Sequence, residues 1–523
     1  MMNDAGETYD ACARLLDEGR YREALALAET ITDPANRAAI YIDGGFALGQ
    51  SGKVREGTEI IESLLSKDEL DRPMTRSTLL YNAGNGRSSL YTLRRRNRAK
   101  TIPPNDVDLR AAKRHYRNAV AAARDRDKAF VSQVLVNYGN SLSAFGRYAE
   151  AIENYQQALD VDPKNGMAAG NLGVELEYAA RLTGRFRHEY IALAREFLIR
   201  ALGPHMHLDY GIPHAVQGFR LVLERLDQFI NFHTTPILPP QPVKVAARTE
   251  SQRRYVRFCI QNGLFLNAWV GNHELSPGVT DNISFGPIRT PIADIVLVPE
   301  LLHILNEVKE AYATARYVYY LSQAQSNLFD AVSKATIYFD IDSYEINGLY
   351  TGLCKTAYSR AFDVLDKTAR LINSYFDIGK REDSFWRIFV ERQSLGESHD
   401  LRYVARPAIC GQANIGLYAL ADLCIDYFES EHVDLKMIDA RRNKITHAYL
   451  VVKLHSLQEE RAKSDIVDLD ELSEQTKGVL HLAKHAILYS ISAIDLAERQ
   501  KSEGNAEQAS DRPVITKPGQ AYL

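Results

Sequence analysis

Apolar positions at helical spacing dominate the second half of the chain. Ile295, Leu297, Leu301, Leu302, Ile304, Leu305, Val308, Ala311, Tyr312 and Ala315 recur three and four apart and predict a helix over Ile292 to Gln323. A second long helix is expected from about Tyr344 to Tyr375, bent near Gly348. A polar loop with Gly379, Arg381, Glu382 and Asp383 follows, then Trp386 and Phe389. Ala405 to Phe428 reads as a third helix, Asp434 to Ser456 as a fourth and Glu471 to Arg499 as a fifth. Four or five antiparallel helices of this kind bury one apolar stripe each against their neighbours.

The first half is patterned differently, by small and aromatic residues that repeat. Asn137-Tyr138-Gly139 runs through Gly146-Arg147-Tyr148-Ala149-Glu150-Ala151 to Tyr155, Ala158 and Pro163. Gly139 and Ala151 are small where two helices cross, Leu142, Tyr148, Tyr155 and Ala158 fill the space between, Gly146 turns the chain and Pro163 ends it. The next unit restarts at Asn171-Leu172-Gly173, 34 residues after Asn137-Tyr138-Gly139. This stretch resembles the tetratricopeptide pattern, whose period is the same. Gly19-Arg20-Tyr21-Arg22-Glu23-Ala24 and Gly52-Lys53-Val54-Arg55-Glu56-Gly57 lie 33 apart and read as weaker copies. Asn82-Ala83-Gly84 opens another, with its partner helix delayed to about Asp106 by an Arg94–Lys100 loop and Pro103-Pro104. About five repeats over residues 7–203 and a closing helix near 210–232 are therefore expected, stacked as a solenoid whose concave face takes a protein or peptide partner.

The two patterns meet at Thr234-Thr235-Pro236-Ile237-Leu238-Pro239-Pro240-Gln241-Pro242, which cannot form a regular helix. The expected organisation is all-α. A helical-hairpin solenoid spans 1–233, a Pro-rich linker and connecting segment 234–290, a helical bundle 291–500 and a polar, disordered tail 501–523. In the connecting segment Phe265, Trp269 and Phe285 are expected to pack against the bundle.

Chemistry concentrates on the fourth helix, in Arg441-Arg442-Asn443-Lys444-Ile445-Thr446-His447-Ala448-Tyr449. On a continuous helix Asn443 and His447 would share one face and Arg442 and Tyr449 a neighbouring one. A guanidinium grips phosphate oxygens bidentately and keeps its charge. An imidazole exchanges protons near neutral pH. Together they suit attack on a phosphodiester without a metal. The stretch resembles the R-N-x-x-x-H motif of HEPN-domain ribonucleases, and Tyr449 extends it to the R-x4-H-x-Y form of HEPN toxins. Within that family the C-terminal half is most similar to the LA2681-like HEPN proteins. Tyr255-Val256-Arg257-Phe258-Cys259 and Gly263-Leu264-Phe265-Leu266-Asn267 resemble a segment preceding the helical domain there.

The resemblance implies an all-helical domain that forms a homodimer, so that two motifs face one RNA-cutting site. It implies an endoribonuclease leaving 2′,3′-cyclic phosphate ends, with the repeats as a recruiting or sensing arm in bacterial stress or phage defence. Arg442 is expected to stabilise charge, His447 to serve as acid/base and Asn443 to hold His447 or a phosphate oxygen. Arg441 and Lys444 are expected to add RNA contacts, and Tyr449 is the regulatory candidate. No cofactor or metal is expected. The alternative is a non-catalytic adaptor whose helical domain only dimerises. A second Arg-x4-His pair, Arg200 and His205, runs through Gly203-Pro204 and lacks the Asn.

Composition narrows the picture slightly. Charged residues are 25% and net charge is −4, so any RNA contact must be local. Cys12, Cys259, Cys354, Cys410 and Cys424 form no C-x-x-C pair, which fits a reducing cytoplasm rather than a disulfide framework or zinc site. The polar, acidic N-terminus is no signal peptide, and no uninterrupted apolar run reaches the ~18 residues of a membrane span.

Overall fold

The computed structural model describes residues 4–67, 73–96, 103–183, 186–208, 213–232, 237, 249–269, 276–286, 288–290, 297–324, 326–338, 344–379, 384–394, 401–429, 435–454, 465–504 and 512–514. Within them the fold is helical apart from three two-stranded ladders. The chain divides into two compact units, residues 1–178 with 191–238, and residues 179–190 with 239–523. Of the Pro-rich stretch Thr234–Pro242, all but Ile237 lies outside the described residues.

The first unit contains α1 (Asp4–Asp17), α2 (Tyr21–Ala28), α3 (Pro34–Ala47), α4 (Ser51–Leu65), α5 (Pro73–Arg96), α6 (Val107–Ala122), α7 (Lys128–Ala144), α8 (Tyr148–Val161), α9 (Gly166–Ala180), α10 (Arg187–Ala201) and α11 (Pro213–Phe232). Helices α1 to α8 pack as successive antiparallel pairs. The pair α9–α10 crosses where Gly173 meets Leu198, and α11 closes the row through Phe219 on Gly170. The crossings have a common construction. A Cβ on Gly139 would lie 2.6 Å from the Tyr155 ring, and one on Gly84 2.6 Å from the Tyr116 ring. In both pairs the tyrosine hydroxyl donates to the asparagine that follows the glycine, Asn140 and Asn85, at 2.8 Å. Gly19, Gly49 and Gly146 turn the chain between helices in the left-handed region. The turn of the second pair thus falls at Gly49, with Gly52 inside α4.

The arginine-rich loop expected at 94–100 is partly a helix end. Arg94 donates to Asp106 at 2.7 Å and also pairs with Asp108, Arg95 lies over Tyr91 at 5.7 Å and Arg96 over Phe46 at 4.7 Å. These cations are used inside the unit, and Arg98 and Lys100 lie outside the described residues.

The second unit contains α12 (Glu250–Gln261), β1 (Ile288–Thr290), α13 (Leu297–Gln323), α14 (Asn327–Ala335), α15 (Leu349–Phe376), α16 (Phe385–Phe389), β2 (Val390–Ser394), β3 (Leu401–Ala405), α17 (Pro407–Cys410), α18 (Ile415–Glu429), α19 (Leu435–His447), β4 (Val451–Lys453), β5 (Ile466–Asp468), α20 (Leu469–Gly504) and β6 (Arg512–Val514). α15 packs against α13, α20 and α19, and α20 against α18. α20 is long and apolar enough to cross a membrane by length and composition, but 78% of its most apolar window is buried, as befits the core helix of a bundle. Asn414, itself buried, accepts from the Gly416 and Leu417 amides and donates to the Ala493 carbonyl, so one side chain caps α18 and ties it to α20.

Three expectations need correction here. The third helix does not begin at Ala405. Leu401–Ala405 pairs antiparallel with Val390–Ser394, because Pro407 and Gly411 allow only a single turn before α18. The motif helix does not run to Ser456. It ends at His447, and the β-branched Val451-Val452 pair in parallel with Ile466-Val467. The tail is not wholly without structure. α20 continues to Gly504, and Arg512–Val514 pairs with Ile288–Thr290. The connecting segment packs on the bundle, as its aromatic residues led one to expect. The buried Arg316 of α13 donates to Asp281 at 2.8 and 3.0 Å and to the Leu264 carbonyl at 3.0 Å, while Phe265, Trp269 and Phe285 are buried.

Candidate active site

α19 lies against α15 and α18, and its residues divide by side. Arg441 points inward and is 1% exposed. Its Nη1 donates to Glu471 Oε1 at 2.6 Å and its Nη2 to the Ile466 carbonyl at 3.3 Å. It anchors the helix and cannot touch a phosphate, which corrects its assignment to RNA contact.

Arg442 is one position round and leans on α15. Its Nη2 donates to Asp366 Oδ2 at 2.8 Å, and Asp363 Oδ1 lies 3.9 Å away. The guanidinium carbon sits 5.1 Å from the centre of the Phe362 ring. Its side chain is 25% exposed, so one edge is fixed while others face water. Asp363 and Asp366 were not singled out from sequence. The available signal was two acids three apart, beside Phe362, on the second long helix.

Asn443 and His447 are exposed, and Lys444 is half-buried. Asn443 and His447 share the face their spacing dictates. Among the described residues, however, no side chain bonds to His447, Asn443 included. Of the two roles expected for Asn443, the hydrogen bond to His447 is therefore not made among the described residues. Thr446 Oγ1 donates to the Arg442 carbonyl at 2.9 Å, and the Ala448 amide to the Lys444 carbonyl at 3.0 Å, so the backbone is helical up to His447.

The chain then leaves the helix. Leu450 is buried and its carbonyl accepts from Lys355 Nζ of α15 at 2.6 Å. Burial pushes the Lys355 ammonium down from its ordinary value. The Ile346 amide donates to the Val452 carbonyl at 2.7 Å, so β4 is flanked on both sides. Tyr449 lies between the helix end and this strand, 65% exposed. It is displayed on a turn, not stacked two helical turns above Arg442. The second Arg-x4-His pair is split by a helix end, and Arg200 donates to the Pro163 carbonyl at 2.5 Å.

A helical-hairpin array followed by a helical bundle with an Arg-x4-His helix end is the arrangement expected of tetratricopeptide repeats joined to a HEPN-like domain. Residues 292–497 match the family model LA2681-like HEPN. Among solved structures the chain is similar to MamA AMB-1, at 19% identity over 38% of this chain and 92% of that one, with a TM-score of 0.23. So low a score lends the fold no support, and the repeat architecture rests on its own crossings. No curated protein matches the chain.

Proposed function

We propose that the protein is an RNA endonuclease that cuts with Arg442 and His447, and that its helical repeats recruit or sense a protein or peptide partner. The observation carrying this reading is the pair at the end of α19: a guanidinium braced by Asp366 but open on its remaining edges, and an exposed imidazole that nothing else in the described chain uses. RNA carries its own nucleophile. The 2′-OH gives up its proton to a base and bonds to phosphorus. The 5′-oxygen leaves with a proton, so the products are a 2′,3′-cyclic phosphate and a 5′-hydroxyl. Arg442 supplies charge to the pentavalent phosphate and His447 handles a proton. A second copy facing the first would bring a second imidazole, giving the reaction both its base and its acid. Homodimerisation is therefore part of the proposal, as are a cytoplasmic setting and a role in stress or phage defence. Tyr449, exposed beside the site, remains the residue for regulatory modification.

The test is cleavage of end-labelled RNA by the full chain, with and without chelator, and mapping of the new ends. Loss of cutting in both Arg442→Ala and His447→Ala supports the reading, and equal cutting by His447→Ala sinks it. One observation favours the adaptor reading: Asp366 already neutralises Arg442 in the resting chain. RNA left intact by the full chain with its repeat-bound partner present would decide for that reading.

A further inference from the structure

A cleft of about 490 Å³ opens beside α16 and the β2–β3 ribbon, of a size that suits one nucleotide-sized ligand. Three of its walls are aromatic: Trp386, Tyr403 and Phe428. The rings are packed on one another and on their neighbours. Trp386 is stacked on Tyr427 with centroids 3.6 Å apart and planes 15° apart, and Tyr403 on Phe428 at 4.0 Å and 6°. Two guanidiniums complete the lining. Arg392 pairs across the ribbon with Tyr403 and donates through Nε to its hydroxyl at 2.9 Å. Arg387 is exposed, and among the described residues no carboxylate pairs with it. Glu391, also exposed, is the carboxylate of the lining.

The cleft is tied to the motif through one side chain. Asp366 takes the Arg442 guanidinium on Oδ2 and the Phe385 amide on Oδ1, the latter at 3.4 Å. Phe385 opens α16, flanked by the cleft residues Ser384 and Trp386. A single carboxylate therefore touches both the motif cation and the first residue of the helix that lines the cleft.

We infer that this cleft is a nucleotide subsite that binds one base and its phosphate from single-stranded RNA and positions the strand for the Arg442–His447 pair. Preformed rings take a base by its face, whatever its identity, and guanidiniums take the phosphate. Glu391 can accept from an exocyclic amine and so bias the choice of base. The inference rests on the nuclease reading for its purpose, but not for its binding chemistry.

The experiment uses the full chain carrying His447→Ala, so that RNA stays whole, and a short fluorescent single-stranded RNA read by anisotropy. Tyr403→Ala and Arg387→Ala should each weaken binding about tenfold, and Arg387→Ala should lower the salt slope by about one. Tyr403→Phe keeps the ring and should bind nearly as the parent does. Calorimetry with the four nucleoside monophosphates should show binding that both alanine variants lose. Folded Tyr403→Ala and Arg387→Ala proteins that bind RNA and mononucleotides like the parent would overturn the subsite. That result with wild-type cleavage intact removes the subsite alone. Weakened binding in a protein that never cuts removes the nuclease reading and leaves the subsite standing.

Discussion

Replacing Glu471 with alanine tests the inward role of Arg441 directly. Arg441 is 1% exposed, and Glu471 is the carboxylate its guanidinium meets, at 2.6 Å. The Ile466 carbonyl at 3.3 Å is a weaker partner, and Arg441 Nε is already buried without one. Glu471→Ala leaves a cation where water barely reaches, a change worth ~3–5 kcal/mol when one partner of a buried pair is removed. Glu471 itself is 39% exposed, which lets some water in and points to the low end, about 3 kcal/mol. The converse replacement, Arg441→Met, fills the volume with apolar atoms and leaves Glu471 to solvent, so it should cost about 1 kcal/mol or less. With two units in the chain, one global unfolding energy is ill-defined. Hydrogen exchange at residues 441–447 and 466–472 is the better measure, and Glu471→Ala should speed it by on the order of a hundredfold. Arg441→Met should speed it little and leave RNA affinity unchanged. Equal losses in the two variants, or weaker RNA binding by Arg441→Met at full protection, would refute the assignment.

Further outcomes are expected. Arg442→Ala and His447→Ala should each reduce RNA cleavage by at least ~100-fold in a gel assay with melting unchanged. Asp366→Asn keeps an acceptor for the Phe385 amide but loosens the brace that positions Arg442, so cleavage should fall about tenfold with little loss of stability, since the pair is partly exposed. Gly139→Leu forces a side chain into the Tyr155 ring and should destabilise the first unit by ~1–3 kcal/mol, read by limited proteolysis. Burial pushes the Glu175 carboxyl up to about 7, against the lowering effect of Ser143 donating to it. The folded state thus holds a proton that the unfolded chain has released above about 4.5. Stability from this group is full below that pH, falls through pH 7 and then levels off. A melting series should show this slope in the wild type and lose it in Glu175→Gln.

The repeats were legible because their construction is local. Gly139, Tyr155 and Gly146 occupy positions dictated by one helix crossing and one turn, and both recur at fixed spacing. The bundle helices were legible for a related reason, since periodic apolar positions report one buried face. Where the spacing misled, a distant partner outweighed it. Val451 and Val452 continue a helical pattern but pair with a segment beyond residue 464, and Leu401–Ala405 sits among apolar residues but pairs with β2. Sequence adjacency carries no information on such pairings.

The motif shows the division most clearly. Arg442 and His447 could be picked out as candidates because, together with Asn443 and Tyr449, they resemble a known motif and suit attack on a phosphodiester. Which neighbouring arginine faces inward could not be, because Arg441 and Arg442 differ only by one helical step of ~100°. Packing of α19 against α15 and the start of α20 settles it, sending one guanidinium to Glu471 and the other to Asp366. By itself the sequence determined two helical architectures, their order and the Arg442–His447 pair proposed to carry the chemistry. Tertiary structure alone decided which cation is buried, where the motif helix stops and that an aromatic cleft lies one carboxylate away. Those outcomes depend on burial and ion pairing between residues far apart in the chain, whose energies exist only once the helices meet.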